Sequence, residues 1–328
     1  MSYFLYDWVV NIKIHSSVLV WIISFLIFSP IASTSAQDSD DSQSSDAQNQ
    51  TASSMSLQEL SSQIINPLAK IWRLDFENDT IYNTGDIGKK VWTNTLTFRP
   101  RLPISLGNWV LLLQPQIPFV DTQPKFEESL IRGLTVEHRT GMGDTILATV
   151  LGREIFKDIE IGLGPTFILP TATKNVTGQG KWQVGPAATI FYVPKGWTIG
   201  ATPQIWWSFA GDDNREDTNQ MEIQYLIARH FSNGWNIRTR PTIKADFKAN
   251  DGDKWNVPVG AGVSKLFKIH KVPVLIGFEA QYSIVKQDTF GPEWTLVSDI
   301  TVVIPNPQLI RKAKKARSGH TPVNHTTN

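Results

Sequence analysis

The 328-residue chain contains no cysteine, which excludes a disulfide framework, a thiolate zinc site and a cysteine nucleophile. It also lacks an excess of charge, since 31 basic residues stand against 30 acidic ones. That balance excludes a strongly basic nucleic-acid-binding protein. Long hydrophobic runs are missing too, and a mean hydropathy of −0.17 is too polar for a bundle of membrane-spanning helices. A membrane β-barrel stays open, because only half of each of its strands is apolar.

One apolar run lies near the N-terminus, at Val18–Phe28. It is shorter than the roughly 20 residues that a helix needs to cross a bilayer. Lys13 precedes it and small residues follow it up to Ala36, an order typical of a secretory signal peptide. We therefore predict residues 1–36 to be a signal peptide cleaved near Ala36. The alternative is an uncleaved membrane anchor.

Two polar segments flank the body of the chain. Residues 37–66 open with a run of Ser, Asp and Gln that has almost nothing to bury, which predicts a disordered linker. Residues 305–328 form a polar tail that contains the basic run Arg311–Arg317. Such a run can bind nucleic acid or acidic lipid headgroups, but it is more often simply solvated. The folded domain is therefore expected over 67–304.

The body of the chain alternates apolar and polar residues with a period of two, as in Met221–Ile227 and Trp294–Ile304. Strict alternation gives each strand one dry and one wet face. Twelve such segments lie near 70–78, 90–99, 108–120, 141–151, 159–169, 181–192, 196–209, 219–231, 235–246, 255–266, 273–286 and 293–304. The predicted fold class is all-β: an antiparallel transmembrane β-barrel of about 12 strands.

The connections between these segments alternate in length. Short ones lie at Pro194–Gly196, Ser232–Gly234 and Lys268–Lys271, and long polar ones at 121–140, 171–180, 211–218 and 249–253. Outer-membrane barrels keep short turns at the periplasmic rim and longer loops at the extracellular rim. A soluble β-sandwich has no reason to keep this order.

Tryptophans mark the ends of the predicted strands. One set follows short turns (Trp109, Trp197 and Trp235), and a second set follows long loops (Trp92, Trp182, Trp255 and Trp294). Two rings at opposite strand ends are expected for aromatic girdles at the two membrane interfaces. The alternative is the tryptophan core of a sandwich.

Six prolines fall inside the predicted strands, at positions 115, 165, 186, 203, 241 and 258. Each removes a ladder donor, so bulges or kinks are expected there. Pro165, Pro186 and Pro203 lie on consecutive strands and predict a weaker sector of the wall, through which a solute leaves sideways. The alternative is a sealed wall with a straight pore.

Charged residues on the polar faces are predicted to point into the lumen, because charge facing lipid costs about 2–4 kcal/mol near the midplane. The set is Arg73, Asp75, Glu77, Arg99, Glu222, Arg238, Arg240, Lys244, Asp246, Glu279 and Asp299. Two interpretations remain open. The residues line a pore that filters solutes by charge, or they form cross-strand ion pairs that fill a narrow lumen.

Signals for other chemistry are weak. The histidines lack the paired spacing of a zinc site, so no metal or cofactor is expected. A hydrolase would need His138 or His230 beside a serine and a carboxylate. The acidic loop Gly211–Asp217 lacks the glycine and distal glutamate of a calcium loop. It is interpreted as solvated, with loose bridging of divalent ions or lipopolysaccharide as the alternative.

Several motifs carry a resemblance to a known family. They include GMGD at 141–144, GPTFILPTAT at 164–173, GQGKWQVGP at 178–186 and GPEW at 291–294. Over about 64–304 the chain resembles the bacterial outer-membrane barrel family catalogued for a MetA pathway of phenol degradation, some members of which carry the label neuromedin U. The resemblance implies an outer-membrane transporter and carries over no catalytic residue. The basic tail departs from the usual barrel ending, a terminal aromatic residue.

Together these observations predict a barrel of the Gram-negative outer membrane, surrounded by lipid and lipopolysaccharide. Its expected role is transport of a small solute, aromatic or amphipathic. Neither enzymatic activity nor a nucleic-acid partner is expected. The alternatives are a structural or adhesive barrel, a barrel-borne hydrolase and a soluble periplasmic β-protein.

Overall fold

A computed structural model describes residues 55–129, 133–270, 272–304 and 306. The predicted signal peptide, 1–36, lies outside the described residues, as does the tail 305–328 apart from Asn306. The elements are α1 Leu57–Ile65, β1 Arg73–Thr84, β2 Val91–Leu106, β3 Trp109–Ser129, β4 Gly133–Met142, β5 Thr145–Phe156, β6 Ile159–Leu169, β7 Lys181–Tyr192, β8 Trp197–Gly211, β9 Asn219–His230, β10 Trp235–Thr239, β11 Thr242–Asp246, β12 Trp255–Ile269, β13 Val272–Val285 and β14 Gly291–Val303, with a 3₁₀ turn at Asp251–Asp253. No helix in this part of the chain is long and apolar enough to cross a membrane.

The strands form one closed antiparallel barrel. Neighbours along the chain pair with one another, and β1 pairs with β14 to close the ring. Two barrel strands are interrupted. β4 and β5 both pair with β3 and are separated by Gly143 and Asp144, while β10 and β11 both lie between β9 and β12 and are separated by Arg240 and Pro241. With each interrupted strand counted once, the fourteen segments make twelve barrel strands, which confirms the predicted fold class.

The short turns lie together at one rim, which in outer-membrane barrels is the periplasmic one. Gly107 and Gly234 adopt φ of +65° and +81° there, the left-handed conformation that tight hairpin turns require. The longer connections lie at the opposite, outer rim. One of them differs from the expectation: residues 121–140, predicted as a loop, continue as a β-hairpin of β3 and β4.

Side chains alternate between lumen and lipid along each strand. On β1, Asp75 and Glu77 line the lumen, while Phe76 between them points outward and stacks on Phe98 of β2 at 5.0 Å between ring centroids. On β9, Gln224 lines the lumen and Ile227 lies on the exposed outer face. A change of one residue in position therefore moves a side chain from one medium to the other.

This alternation predicts different outcomes for two neighbouring substitutions. Ile223→Arg should impair barrel assembly strongly, because the cation would face hydrocarbon at a cost of about 2–4 kcal/mol near the midplane. Gln224→Arg should assemble nearly as well as the wild type, since its side chain faces the lumen. The measurement is the folded fraction after refolding into vesicles, read from heat-modifiable migration on gels. Equal damage from both substitutions would contradict the assigned faces.

Prolines coincide with breaks in the ladders, as the sequence predicts. Between β5 and β6 the pairing stops after Ala148 with Thr166 and resumes at Leu151 with Leu163, with Pro165 in the gap. Between β7 and β8 only Ala187 with Gln204 is paired in the stretch that contains Pro186 and Pro203. Pro165 and Pro186 lie opposite each other on β6 and β7. The pairing of β2 with β3 has a similar gap, from Phe98 with Ile117 to Leu102 with Leu113, so the missing bonds are not confined to the β5–β8 sector.

Helix α1 lies inside the barrel near the periplasmic rim. Its Leu60 and Ile64 are buried against Leu266, Leu275 and Val303, on the inner faces of β12, β13 and β14. On the opposite side, Ile65 packs against Phe191, Leu226 and Ala228 of β7 and β9. The helix therefore spans the lumen from wall to wall, and we call it the plug.

Local sequence explains why the plug is helical. Ser56 and Glu59 form a reciprocal capping box: the Ser56 hydroxyl accepts from the Glu59 N–H at 3.2 Å, and the Glu59 carboxylate accepts from the Ser56 N–H at 3.1 Å. The hydrogen bond from the Ser56 N–H, followed by that from its hydroxyl, lowers the pKa of Glu59. Pro67 disfavours helical backbone at Asn66, where the helix ends. The disordered linker predicted over 37–66 is therefore wrong for 57–65.

Candidate functional site

A cavity of about 430 Å³ occupies the lumen above the plug. Ile64, Ile65 and Pro67 form its floor. Side chains from both the charged and the apolar arcs of the barrel line its walls. A volume in this range suits a small organic molecule.

Nine of the eleven charged residues predicted to face the lumen line this cavity: Arg73, Asp75, Glu77, Arg99, Glu222, Arg238, Arg240, Lys244 and Asp299. Glu279 does not line it, but lies buried in the inner wall and accepts the Arg240 N–H at 2.9 Å. Asp246 is exposed near the outer rim, where it accepts the Lys248 N–H at 2.9 Å.

Ion pairs link the charged residues across several strands. Arg240 contacts both Glu77 of β1 and Asp299 of β14. Arg99 of β2 also pairs with Glu77, and Arg238 of β10 pairs with Asp299. These side chains are 3–16% exposed, so the pairs are held largely out of water. The two interpretations of the charged set are thus compatible, since the same residues line the cavity and pair with one another.

Small residues on the intervening strands make this long reach possible. Arg238 lies on β10, and Asp299 lies three strands away on β14. Gly277 of β13 leaves room for the guanidinium, because a Cβ there would lie 2.1 Å from Arg238 Nη2. Gly262 of β12 similarly leaves room for Glu279. Glu279 then supplies an acceptor for the Arg240 N–H where Pro241 interrupts the strand.

A second ion-pair group lies lower on the same wall. Asp75 pairs with Arg73 at 3.5 Å and with Arg101 of β2 at 3.0 Å, and it accepts from the Thr301 hydroxyl at 2.8 Å. Arg73 also donates to the backbone carbonyl of Asn66 at 3.2 Å, directly after the plug. The charged wall therefore holds the segment that leads from the plug into β1.

A short aliphatic wall lies around β5, and the polar side chains of Gln114, Gln116, Thr202 and Gln204 line the cavity on either side of it. β5 presents Ile146, Ala148 and Val150 to the cavity. Leu112 of β3 lies beside Val150, and Leu68 packs against both from within the lumen. The cavity therefore combines a wall of paired charges with a smaller aliphatic wall, and uncharged polar side chains lie between the two.

Some lining residues were not among the predicted site. Asp79 and Arg101 continue the charged faces of β1 and β2 and line the cavity. Their signal was present in the sequence, because each is two residues from a predicted lumen residue on the same strand. Ile146 and Val150 could not be assigned in this way, since apolar residues occur on both faces of their strand.

The charged wall keeps unused hydrogen-bonding atoms. Among the described residues, Asp79 Oδ1 is buried without a hydrogen-bond partner, as are Arg99 Nε and Arg240 Nε. Such atoms cost free energy unless water or a ligand bonds them. Because these atoms are themselves buried, a polar group in the cavity reaches them only if the charged side chains shift.

The seven predicted girdle tryptophans lie at strand ends and are 36–45% exposed. Trp109, Trp197 and Trp235 begin strands at the periplasmic rim, and Trp92, Trp182, Trp255 and Trp294 lie at the outer rim. At the outer rim, three of them pair with aromatic rings, namely Trp92 with Tyr82, Trp255 with Phe247 and Trp294 with Tyr282. At the periplasmic rim, cations lie over all three tryptophan rings.

Neither alternative chemistry gains support from the geometry. The buried His230 contacts the Thr198 hydroxyl and the Asn236 amide oxygen, at 2.9 and 2.7 Å, and not a serine or a carboxylate. The side chain of His138 lies outside the described part. In the acidic loop, hydrogen bonds from Lys181 and then Ser208 lower the pKa of Asp217. No group of three potential metal ligands comes together among the described residues.

Comparison with known proteins agrees with this architecture. The model of the family described as "Putative MetA-pathway of phenol degradation" matches residues 75–295, more than half of the chain. The chain belongs to this family. The resemblance seen in the sequence is thereby confirmed. No curated protein sequence matches significantly.

Solved structures show the same fold. An outer-membrane channel from Pseudomonas putida F1 is 15% identical and matches 71% of this chain and 94% of its own, with a TM-score of 0.51. The NanC porin matches 71% and 99% at 11% identity, with a TM-score of 0.41. The CymD monoaromatic hydrocarbon channel matches 74% and 91% at 10% identity, with a TM-score of 0.35. The similarity to the Pseudomonas putida channel supports the twelve-stranded barrel fold. The other two similarities are too weak to support it further.

Proposed function

We propose that this outer-membrane barrel is a channel for a small amphipathic solute with an apolar, aromatic body and a polar head. The observation that carries this proposal is the cavity with one charged and one aliphatic wall. A purely hydrophilic solute has no use for the aliphatic wall. A purely apolar solute leaves the unused polar atoms of the charged wall without partners.

The two walls divide the recognition between them. The apolar body lies against Ile146 and Val150, where burying about 100 Å² of apolar surface stabilises the complex by roughly 2.5 kcal/mol. The polar head lies toward Asp79 and Arg99, which line the cavity and whose charged groups accept and donate hydrogen bonds. A hydroxyl on an aromatic ring meets both requirements, which agrees with a family described by phenol degradation.

The exit route of the solute remains a prediction. The plug closes the lumen toward the periplasm, so a straight path requires the plug to move. The ladder gaps of the β5–β8 sector favour the sideways route, because fewer hydrogen bonds hold the wall there, and β2 and β3 share a gap of the same kind. Backbone facing lipid must keep its partners, so any such opening is small or lined by protein.

The test is uptake by cells that carry the protein in their outer membrane. Entry of N-phenyl-1-naphthylamine, an aromatic body with one N–H donor, should be several-fold faster than in cells without the protein. Ile146→Gln and Asp79→Asn should each lower this rate, because one makes the apolar wall polar and the other weakens the acceptor. Thr97→Ser, which keeps a hydroxyl on the charged wall, is the control and should leave the rate nearly unchanged.

A second measurement separates this role from the alternatives. Proteoliposome swelling in a neutral sugar should be slow, because the plug obstructs hydrophilic flow. Fast sugar flux would instead indicate a general pore. Unchanged aromatic uptake in both wall variants would indicate a structural or adhesive barrel.

A further inference from the structure

The periplasmic rim carries a repeated arrangement on its outer face. Arg229 Cζ lies 5.2 Å from the ring centroid of Trp197 and 5.9 Å from that of Phe231. Lys265 Nζ lies 4.7 Å from the centroid of Trp235 and 5.8 Å from that of Phe267. In both cases the tryptophan opens a strand, the cation faces it on the next strand, and the phenylalanine follows the cation by two positions.

The two arrangements are neighbours in one stretch of wall. Trp197 pairs with Arg229 across β8 and β9, and Trp235 pairs with Lys265 across β10 and β12. Since β9 pairs directly with β10, only one strand separates the two cations. At about 4.8 Å between strands, they lie roughly 10 Å apart along the rim. We call this surface the basic rim patch.

The cations of the patch are not neutralised by the protein. Among the described residues, neither Arg229 nor Lys265 has a carboxylate within ion-pair distance, and Arg229 donates a side-chain hydrogen bond to the uncharged Gly196 carbonyl at 3.2 Å. The segments 193–197, 227–238 and 263–274, which form the patch and its turns, contain no Asp or Glu.

Apolar side chains lie directly above the cations, toward the membrane. Ile199, Ile227, Ile237 and Val263 are 38–56% exposed on the outer face. The surface therefore presents positive charge and aromatic rings at the interface and aliphatic groups in the hydrocarbon region. This order matches the phosphate, glycerol and acyl chains of a phospholipid.

The tryptophans of the outer rim have different neighbours from those of the periplasmic rim. Its Trp92, Trp255 and Trp294 pair with aromatic rings, and no cation contacts these three rings among the described residues. The contacts between cations and girdle tryptophans are thus found at the rim that borders the periplasmic leaflet.

We propose that the basic rim patch is a binding site for an anionic phospholipid of the periplasmic leaflet, with the phosphate held by Arg229 and Lys265. The acyl chains lie along Ile199, Ile227, Ile237 and Val263. The site is separate from the lumen and does not depend on which solute the cavity takes.

The experiment is native mass spectrometry of the detergent-solubilised protein with added lipid. The wild type should bind phosphatidylglycerol on the order of tenfold more tightly than phosphatidylcholine, since each interfacial cation favours an anionic lipid. The double variant Arg229→Gln/Lys265→Gln should lose this preference, and Arg229→Lys/Lys265→Arg should keep it. Lys248→Gln/Lys254→Gln, which removes the same charge at the outer rim, is the matched control and should behave as the wild type.

Two competing ligands test which part of the lipid is recognised and at which leaflet. Soluble glycerophosphoglycerol should compete weakly, because it lacks acyl chains; full competition would indicate a plain phosphate site and overturn the lipid assignment. Tighter binding of lipid A, lost in the Gln double variant, would place this rim at the outer leaflet and overturn the proposal. An unchanged preference in the Gln double variant also overturns it. Heat-modifiable migration verifies that each variant is folded.

Discussion

Deletion of residues 37–66 should raise the single-channel ion conductance several-fold in planar bilayers. An α-helix with its side chains is about 10–12 Å across, and the plug contacts both sides of the lumen through Leu60, Ile64 and Ile65. Its removal leaves the lower lumen to water. The charged wall above it stays in place, so ions find a hydrated path.

Deletion of residues 37–54 alone is the control, because it leaves the plug with its capping residues. Conductance should then match that of the full chain. A crosslink between Ser62→Cys and Thr198→Cys, whose hydroxyl oxygens lie 3.5 Å apart, locks the plug in a chain without native cysteines. Aromatic uptake that persists in the locked protein would support the sideways exit, and its loss would favour a path past the plug. Unchanged conductance after deletion of 37–66 would show that the plug does not limit flow.

Arg240→Gln should lower the free energy of unfolding by about 3 kcal/mol, because it removes a shared partner from buried Glu77 and Asp299. Breaking a buried ion pair by removing one partner typically costs 3–5 kcal/mol. Here each carboxylate keeps one arginine, Arg99 or Arg238, which places the expectation at the lower end of that range. Urea unfolding from vesicles, followed by tryptophan fluorescence, measures it.

The matched comparison is Glu77→Gln/Arg240→Gln. The double variant restores the charge balance, so it should be more stable than Arg240→Gln alone, and a double-mutant cycle isolates the coupling between the two residues. Lys244→Gln is the control for an exposed ion pair, since Lys244 is 59% exposed and its partner among the described residues is the less buried Glu222. Its cost should stay below about 1 kcal/mol. A cost for Arg240→Gln no larger than this would show that the lumen is wet enough to screen the network.

The barrel can be predicted from the sequence because the alternation of apolar and polar residues is a local pattern. Met221–Ile227 predicts a two-faced strand without knowledge of its partners, and charge on the wet face predicts which side meets the lumen. Nine of the eleven predicted charged residues lie at the cavity for this reason. Asp246 differs because its strand reaches the outer rim, where its side chain is exposed.

The contacts that shape the site depend on register, which the sequence does not reveal. Arg238 reaches Asp299 because Gly277 of β13 leaves room for its guanidinium, and the position of this glycine beside Asp299 follows from strand pairing. The plug has a local signal in the sequence, the capping box Ser56-Leu57-Gln58-Glu59. The polar run before it nevertheless favours disorder for the segment as a whole. Its place inside the barrel depends on tertiary contacts with strands that are distant in the sequence.

The position of the plug has a consequence for biogenesis. Leu60 packs against Leu266, about 200 residues later in the chain, and the same cluster includes Val303 at the end of β14. At the seam, the Ile304 N–H donates to the Trp72 carbonyl and the Asn306 side chain donates to the Lys70 carbonyl. Contacts of such long sequence separation form late in folding. One side of the helix thus gains its docking surface only with the last three strands, and the final strand among them also closes the ring on β1.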